Sequence, residues 1–352
     1  MGNWQDNVRR VVPYVPGEQP QRPVTKLNTN ENPYPPSPAA VAVLQAADGA
    51  AFRKYPDPTA AELVNAISDV YGVPADQVFV GVGSDDVLGM SFLTFFASDK
   101  PVLFPDITYS FYDVWAELFR IPYRQIPLTE DFRINPEDYK TENGGIVIAN
   151  PNAPTSVALP TDAIRGILEA NRDSVVIIDE AYIDFGGESV LPMIKEFDNL
   201  LVVQTYSKSR SGAGMRVGFA MGSKALIDAI KAVKFAYNSY TMSTPMIQAG
   251  AAAMRDAAYM KKTTAAVIAT REAFKPRLEA LGFTILPSAT NFYFATHNRV
   301  PAKVIFEELK KRDIFVRYWN KPRIDNYLRI TVGTDAEMET LIAALTEILT
   351  AY

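Results

Sequence analysis

Five short apolar runs limit what this chain can fold into. Val78–Val80, Ile146–Ala149, Val175–Ile178, Leu201–Gln204 and Val217–Ala220 carry no charge, and each is bounded by polar or glycine-containing segments. A strand with one wet face alternates apolar and polar residues, whereas one that is apolar throughout is covered on both sides. Pro101–Phe104 adds a further strand. Segments with helical spacing lie between the runs, at Asp85–Phe96, Tyr109–Phe119 and Ile164–Ala170. Buried strands alternating with helices predict an α/β fold with a mostly parallel sheet between helices.

The two ends of the chain read differently. Ten of the 25 prolines fall in the first 58 residues. This predicts an extended arm, interrupted by a short helix near Pro38–Ala47. A helical pattern at Thr59–Val70 stops at Gly72 and Pro74. A long helical stretch runs from about Pro245 to Leu281, with a break or kink expected at Pro276. Beyond it, strands at Phe283–Leu286, Asn291–Ala295, Ile314–Arg317 and Tyr327–Thr331 alternate with helices at Val304–Lys311 and Ala336–Leu349, the pattern of a smaller α+β domain. The expected division is an arm contributing to the small domain (1–49), a large domain (50–250), and a linking helix with the C-terminal small domain (251–352).

Several chemistries are excluded by what is missing. The chain has 352 residues, no cysteine and one histidine, His297. Disulfides, thiolate catalysis and sulfur-bound zinc are ruled out. His297 reads as a loop residue, and no Gly-x-Ser-x-Gly elbow accompanies it. The net charge of -5 argues against nucleic acid as a partner. No apolar run is long enough to span a bilayer, and the N-terminus has no signal-peptide pattern, so a cytoplasmic protein is expected.

The remaining polar groups collect around the strand ends. Asp179 closes the run Val175–Ile178 and is followed by Glu180-Ala181-Tyr182. Ser207-Lys208 follows the run Leu201–Gln204 and Thr205, with Arg216 eight residues further on. Gly81-Val82-Gly83-Ser84-Asp85 joins a strand to a helix, where free N–H groups and a positive dipole end favour an anion. The third glycine of a dinucleotide fingerprint is absent, because Asp86 stands there. A lysine to form a Schiff base, a carboxylate for a pyridine nitrogen, and hydroxyls with an arginine for a phosphate are together the parts that pyridoxal phosphate needs. Tyr182 is spaced to reach the cofactor's phenolic oxygen, and Tyr109 to stack on its ring.

On these residues the chain resembles the fold-type-I, aspartate-aminotransferase-like enzymes, and among them the histidinol-phosphate aminotransferase family. The resemblance runs in order along nearly the whole chain. Leu27-Asn28-Thr29-Asn30-Glu31-Asn32-Pro33-Tyr34 is similar to the family's arm, and Tyr55-Pro56-Asp57-Pro58 to the motif whose tyrosine reaches the phosphate in a neighbouring subunit. Gly83-Ser84-Asp85 resembles the phosphate cup. Asn150-Pro151-Asn152-Ala153-Pro154-Thr155 resembles the asparagine loop. Asp179-Glu180-Ala181-Tyr182 and Ser207-Lys208 match the ring and Schiff-base motifs, and Leu328-Arg329-Ile330-Thr331-Val332-Gly333-Thr334 the segment carrying the substrate arginine. Three positions depart from the pattern. Ala153 stands at the usual asparagine and Ser156 at the usual glycine, which leaves Asn152 to supply the hydrogen bond to the phenolic oxygen. Arg210 replaces an aromatic residue, and Gly212 a leucine.

The resemblance implies a homodimer with shared sites, binding pyridoxal 5'-phosphate on Lys208 and using Asp179 and Tyr182 in catalysis. It implies cofactor contacts from Gly83, Ser84, Asp85, Tyr109, Asn152, Thr205, Ser207, Arg216 and the partner's equivalent of Tyr55. Substrate contacts would come from Arg329, Arg317, Asn32, Tyr34 and Asn238. The implied reaction moves the amino group of L-histidinol phosphate to 2-oxoglutarate, a step of histidine biosynthesis. An aromatic amino-acid aminotransferase and a threonine-phosphate decarboxylase share the scaffold and stay open. A regulatory module that binds the cofactor without turnover is disfavoured, since the first 40 residues hold no helix-turn-helix.

Overall fold

The computed structural model describes residues 3–352. Seven strands form the main sheet. In spatial order they are Val78–Gly81, Gly218–Gly222, Leu200–Thr205, Val176–Asp179, Gly145–Ala149, Val102–Pro105 and Tyr123–Ile126. The last five are mutually parallel. Gly218–Gly222 runs antiparallel to both of its neighbours. The expected α/β class holds, with a mostly parallel sheet.

Every residue of Val176–Asp179 and Leu200–Thr205 is buried. One face of the sheet packs a core around Ile146, Ile178 and Val202, and the other a core around Val147, Ile177 and Val203. The alternation along each strand is therefore between two dry faces. Each such buried Val or Ile stabilises the fold by ~1.5–3 kcal/mol.

A second sheet is antiparallel, in the order Arg317–Tyr318, Leu328–Thr331, Phe292–His297, Phe283–Ile285. The helices Ala302–Lys311 and Asp335–Thr350 contribute Ile305, Leu309, Leu341 and Leu345 to its core. Thr334 and Glu337 form a reciprocal cap at the start of the second helix. The first 49 residues contact both parts of the molecule. Thr25–Lys26 pairs in parallel with Ile314–Phe315, while Ala40 of the helix Pro38–Gln45 packs in the main core.

Two expectations need correcting. The helical stretch from Pro245 breaks at Asp256, and the helix Ala257–Ala280 runs through Pro276. Asp256 ends one helix and caps the next through Tyr259 N–H, while its carboxylate also accepts from Ser37. His297 ends a strand instead of lying in a loop. Its Nε2 meets the Leu281 carbonyl at 2.9 Å, and its Nδ1 accepts from Arg299 and Val300 N–H, so both nitrogens serve the backbone.

No helix among the described residues is long and apolar enough to cross a membrane.

Candidate active site

The C-terminal ends of the parallel strands open into a cavity of about 850 Å³ between the two sheets. Open α/β sheets bind ligands at this end, outside the strand termini. Lys208, Asp179, Tyr182, Tyr109, Arg317 and Arg329 all line it.

Asp179 is the last residue of its strand and only 4% exposed. Tyr112 Oη donates to Asp179 Oδ2 at 2.9 Å, and Ala181 N–H to Oδ1 at 3.2 Å. Burial pushes its pKa up to about 6, against the opposing pull of these two bonds. A carboxylate that costs this much to bury fits a cationic partner such as a protonated ring nitrogen. Sequence reasoning did not single out Tyr112. It lies three residues after Tyr109 and donates its N–H to the Tyr109 carbonyl at 3.2 Å, in the turn before the helix Tyr112–Phe119, which starts three residues later than expected.

One end of the cavity is built for an anion. The helix Ser84–Phe95 begins there with no side-chain cap. Gly83 has φ +83°, and a Cβ on it would lie 2.5 Å from Arg216 Nη2. A Cβ on Gly218 would lie 2.2 Å from the Ser84 nitrogen. Glycine at both positions lets the backbone and Arg216 close around a small pocket. Thr205 Oγ1 meets Ser207 Oγ at 3.0 Å, and both line the cavity. Arg216 pairs with Asp85 Oδ2 at 3.0 Å, and Tyr109 Oη donates to Asp85 Oδ1 at 2.7 Å. The cup thus presents N–H groups, two hydroxyls and a guanidinium, a donor set suited to a phosphate ester.

Lys208 Nζ donates to the Thr29 carbonyl at 3.0 Å and lies 5.7 Å from the centre of the Tyr182 ring. Across the cavity, Arg329 Nη2 donates to Asn28 O at 2.9 Å, and its buried Nε has no partner. Burial lowers its pKa, and the nearby Arg317 adds to this by like-charge repulsion. Arg317 donates only to main-chain carbonyls, at Val15 (3.0 Å) and Pro16 (3.3 Å). Both guanidiniums lie 5.2 Å from the Trp319 ring centre. Among the described residues neither has a carboxylate partner. Two adjacent, uncompensated arginines are chemically suited to anionic groups.

Six expected residues do not line this cavity, one of them Gly83, which lies behind Arg216. Asn152 is turned away from it. Its two amide hydrogens go to Ile107 O and Thr155 Oγ1, both at 2.9 Å, and its Oδ1 accepts from Thr108. Nothing remains to donate to a phenolic oxygen. Asn32 Nδ2 supports the Lys208 carbonyl at 3.1 Å, and its Oδ1 accepts from Tyr34 N–H. Tyr34 packs on the core of the second sheet. Tyr55 is 83% exposed and lies 4.7 Å from Tyr240. Asn238 ends the helix Lys224–Tyr237 on the surface.

Arg210 is buried and bonds Tyr71 Oη at 3.3 Å, which in turn donates to Gln204. Gln204 continues the chain to Glu180 at 2.9 Å. Arg210 is thus a buried polar strut under the Lys208 loop. Gly212 is close-packed, since a Cβ there would lie 3.0 Å from Tyr206 Cβ.

Comparison with known proteins agrees with this chemistry. The family model for aminotransferase class I and II matches residues 22–345. A histidinol-phosphate aminotransferase 1 of Bordetella parapertussis is 53% identical, with 99% of each chain covered. The histidinol-phosphate aminotransferase of Clostridium beijerinckii is 49% identical over 98% of this chain and 97% of its own. The crystal structure of the Sinorhizobium meliloti histidinol-phosphate aminotransferase, in complex with pyridoxal-5'-phosphate, superposes with a TM-score of 0.85 at 24% identity, over 93% of this chain and 91% of that one. The chain belongs to the class I and II aminotransferase family.

Proposed function

We propose that this aminotransferase uses pyridoxal 5'-phosphate to move the amino group of L-histidinol phosphate to 2-oxoglutarate, in histidine biosynthesis. The observation that carries the substrate is the pair Arg317 and Arg329, uncompensated and on the same cavity as Lys208. Histidinol phosphate carries a phosphate and no carboxylate, whereas glutamate carries two carboxylates. Paired guanidiniums accept either set of anions in turn.

The side chains present fit the cofactor. Ser84, Thr205, Ser207 and Arg216 would hold its phosphate, with Gly83 giving room. Asp179 would hold its ring nitrogen protonated, Tyr109 would cover the ring, and Tyr182 would meet its phenolic oxygen. When bound, pyridoxal phosphate supplies an aldehyde carbon for amine exchange and a ring that withdraws electrons from the substrate α-carbon. Lys208 Nζ would hold it covalently until the substrate amine takes that place. Once free, Nζ would take the proton from the substrate α-carbon as general base and deliver it, as acid, to the carbon that carried the aldehyde. Arg329 fixes the substrate so that this bond faces Lys208.

Arg317→Ala tests the substrate assignment. The variant is expected to lose about 100-fold in kcat/KM for histidinol phosphate, the ~2–3 kcal/mol of one charge-assisted pair. The phenylalanine half-reaction, which places no anion there, should change little. Wild-type protein that used phenylalanine well and ignored histidinol phosphate would replace this reading with an aromatic aminotransferase.

We further place a large domain at residues 50–250, the arm at 1–49, and the linking helix with the small domain at 251–352, in a cytoplasmic homodimer. Phe52, Tyr55, Tyr237 and Tyr240 are all exposed, an aromatic set suited to covering by a second copy. Tyr55 would then enter the partner's phosphate cup and Asn238 its substrate pocket. Mixing inactive Lys208→Ala and Tyr55→Phe proteins should restore activity in hybrid dimers, which contain one intact site. Verified hybrids without activity would mean that each site is built from a single chain.

A further inference from the structure

A hydrogen-bond chain of fixed polarity leads from the arm to Tyr182. Asn30 N–H donates to Thr331 Oγ1 at 3.0 Å. Thr331 Oγ1 donates to Asn30 Oδ1 at 3.0 Å. Asn30 Nδ2 donates to Tyr182 Oη at 2.9 Å. The backbone N–H at the start can only donate, so Thr331 Oγ1 accepts there and still has its own proton to place. Turning the Asn30 amide over would leave the hydroxyl proton of Thr331, a 2% exposed residue, with no acceptor among the described residues. Asn30 itself is held in place. It is 1% exposed, its carbonyl accepts from Asn291 Nδ2 at 2.9 Å, and its φ of +56° suits asparagine better than most residues.

A tyrosine hydroxyl has one proton to give. Asn30 offers Tyr182 a donor and no acceptor, so that proton is left for the cavity. The neighbouring wall has no substitute: the Asn152 amide is spent within its own loop, and the side chain of Ala153 is a methyl group. We propose that Asn30 is a positioning residue, which directs the Tyr182 hydroxyl proton to the phenolic oxygen of bound pyridoxal phosphate. The proposal rests on the cofactor reading above and deepens it. Donation to Tyr182 also strengthens Tyr182 as a donor, because hydrogen bonds in a chain polarise one another. A well-stabilised phenolic oxygen holds less tightly the proton it shares with the lysine-linked nitrogen. Losing the stabilisation therefore raises the pH at which that proton leaves and the colour of the bound cofactor changes.

The test is a pH titration of the visible absorption of the purified, cofactor-loaded protein. Asn30→Gly removes the amide and tolerates the positive φ, while Thr331→Val removes the hydroxyl behind it. Both should raise the midpoint by about half a pH unit or more. Tyr182→Phe should raise it further, and adding Asn30→Gly to Tyr182→Phe should move it no more, since Asn30 acts through the tyrosine. A cofactor-loaded Asn30→Gly protein with the wild-type midpoint would overturn the proposal, as would a double variant shifted beyond Tyr182→Phe. Should Asn30→Gly not fold, Thr331→Val decides alone, by shifting or not shifting. Wild-type protein that takes up no pyridoxal phosphate would instead overturn the cofactor reading, and the proposal with it.

Discussion

Lys208→Ala is expected to lower turnover by at least about 10⁴-fold, because the proposed role of this one side chain is both covalent attachment and general base. The fold should survive. Lys208 Nζ makes one hydrogen bond, to the Thr29 carbonyl, in a wide cavity where water replaces it. The purified variant should lack the visible band of lysine-linked cofactor, while still binding free cofactor through the phosphate cup. The measurement is the absorption spectrum, with a single-turnover assay on histidinol phosphate. A normal band that disappears on borohydride reduction would place the attachment on another lysine.

Asp179→Asn should lower kcat by about 10³-fold, near the upper end for one buried electrostatic contact, because a neutral amide does not stabilise a pyridinium. The same substitution should stabilise the cofactor-free fold. The pKa of Asp179 is pushed up to about 6 by burial, above the 3.8 of a free aspartate. A carboxyl with a raised folded-state pKa favours the fold most when protonated, below about pH 4. That contribution is lost as pH rises through about 6. The difference of roughly two pH units corresponds to roughly 3 kcal/mol. Cofactor-free Asp179→Asn should therefore melt above wild type at pH 8, with the gap closing towards pH 4. Saturating cofactor should reverse the order at pH 8, since the cation then compensates the wild-type carboxylate. Equal melting temperatures at pH 8 without cofactor would mean that Asp179 is not buried as a charge.

Much of the candidate site was legible because its polar groups sit at strand ends, and buried strands announce themselves. Asp179 and Lys208 follow runs with no solvent face. Strand direction was less legible. Val217–Ala220 reads as buried, but an apolar run does not say whether its neighbours are parallel, and it proved antiparallel to both. The edge strand Tyr123–Ile126 escaped notice because it carries Arg124 and Gln125 in solvent. Side-chain direction within loops was the least legible. Asn152 and Ala153 are neighbours in one motif, yet it is the methyl that lines the cavity and the amide that ties the loop. Asn30 was named only as part of the arm motif and given no role, since its partner Thr331 lies at the far end of the chain.

That separation has a kinetic consequence. The bonds from Asn30 to Thr331, and from Arg329 to Asn28, each span 301 residues of chain. Closing so long a loop is slow, and its entropic cost must be met before the contacts form. On the ribosome the parallel sheet, with Asp179 and Lys208, emerges complete while the strand Leu328–Thr331 is still unmade. The nascent protein is therefore expected to pass through a stage with the proposed cofactor residues in place and Arg329 still absent. A chain released early by a stop codon after residue 320 should therefore capture cofactor and fail to use it, making vitamin uptake and catalysis separable in time during synthesis.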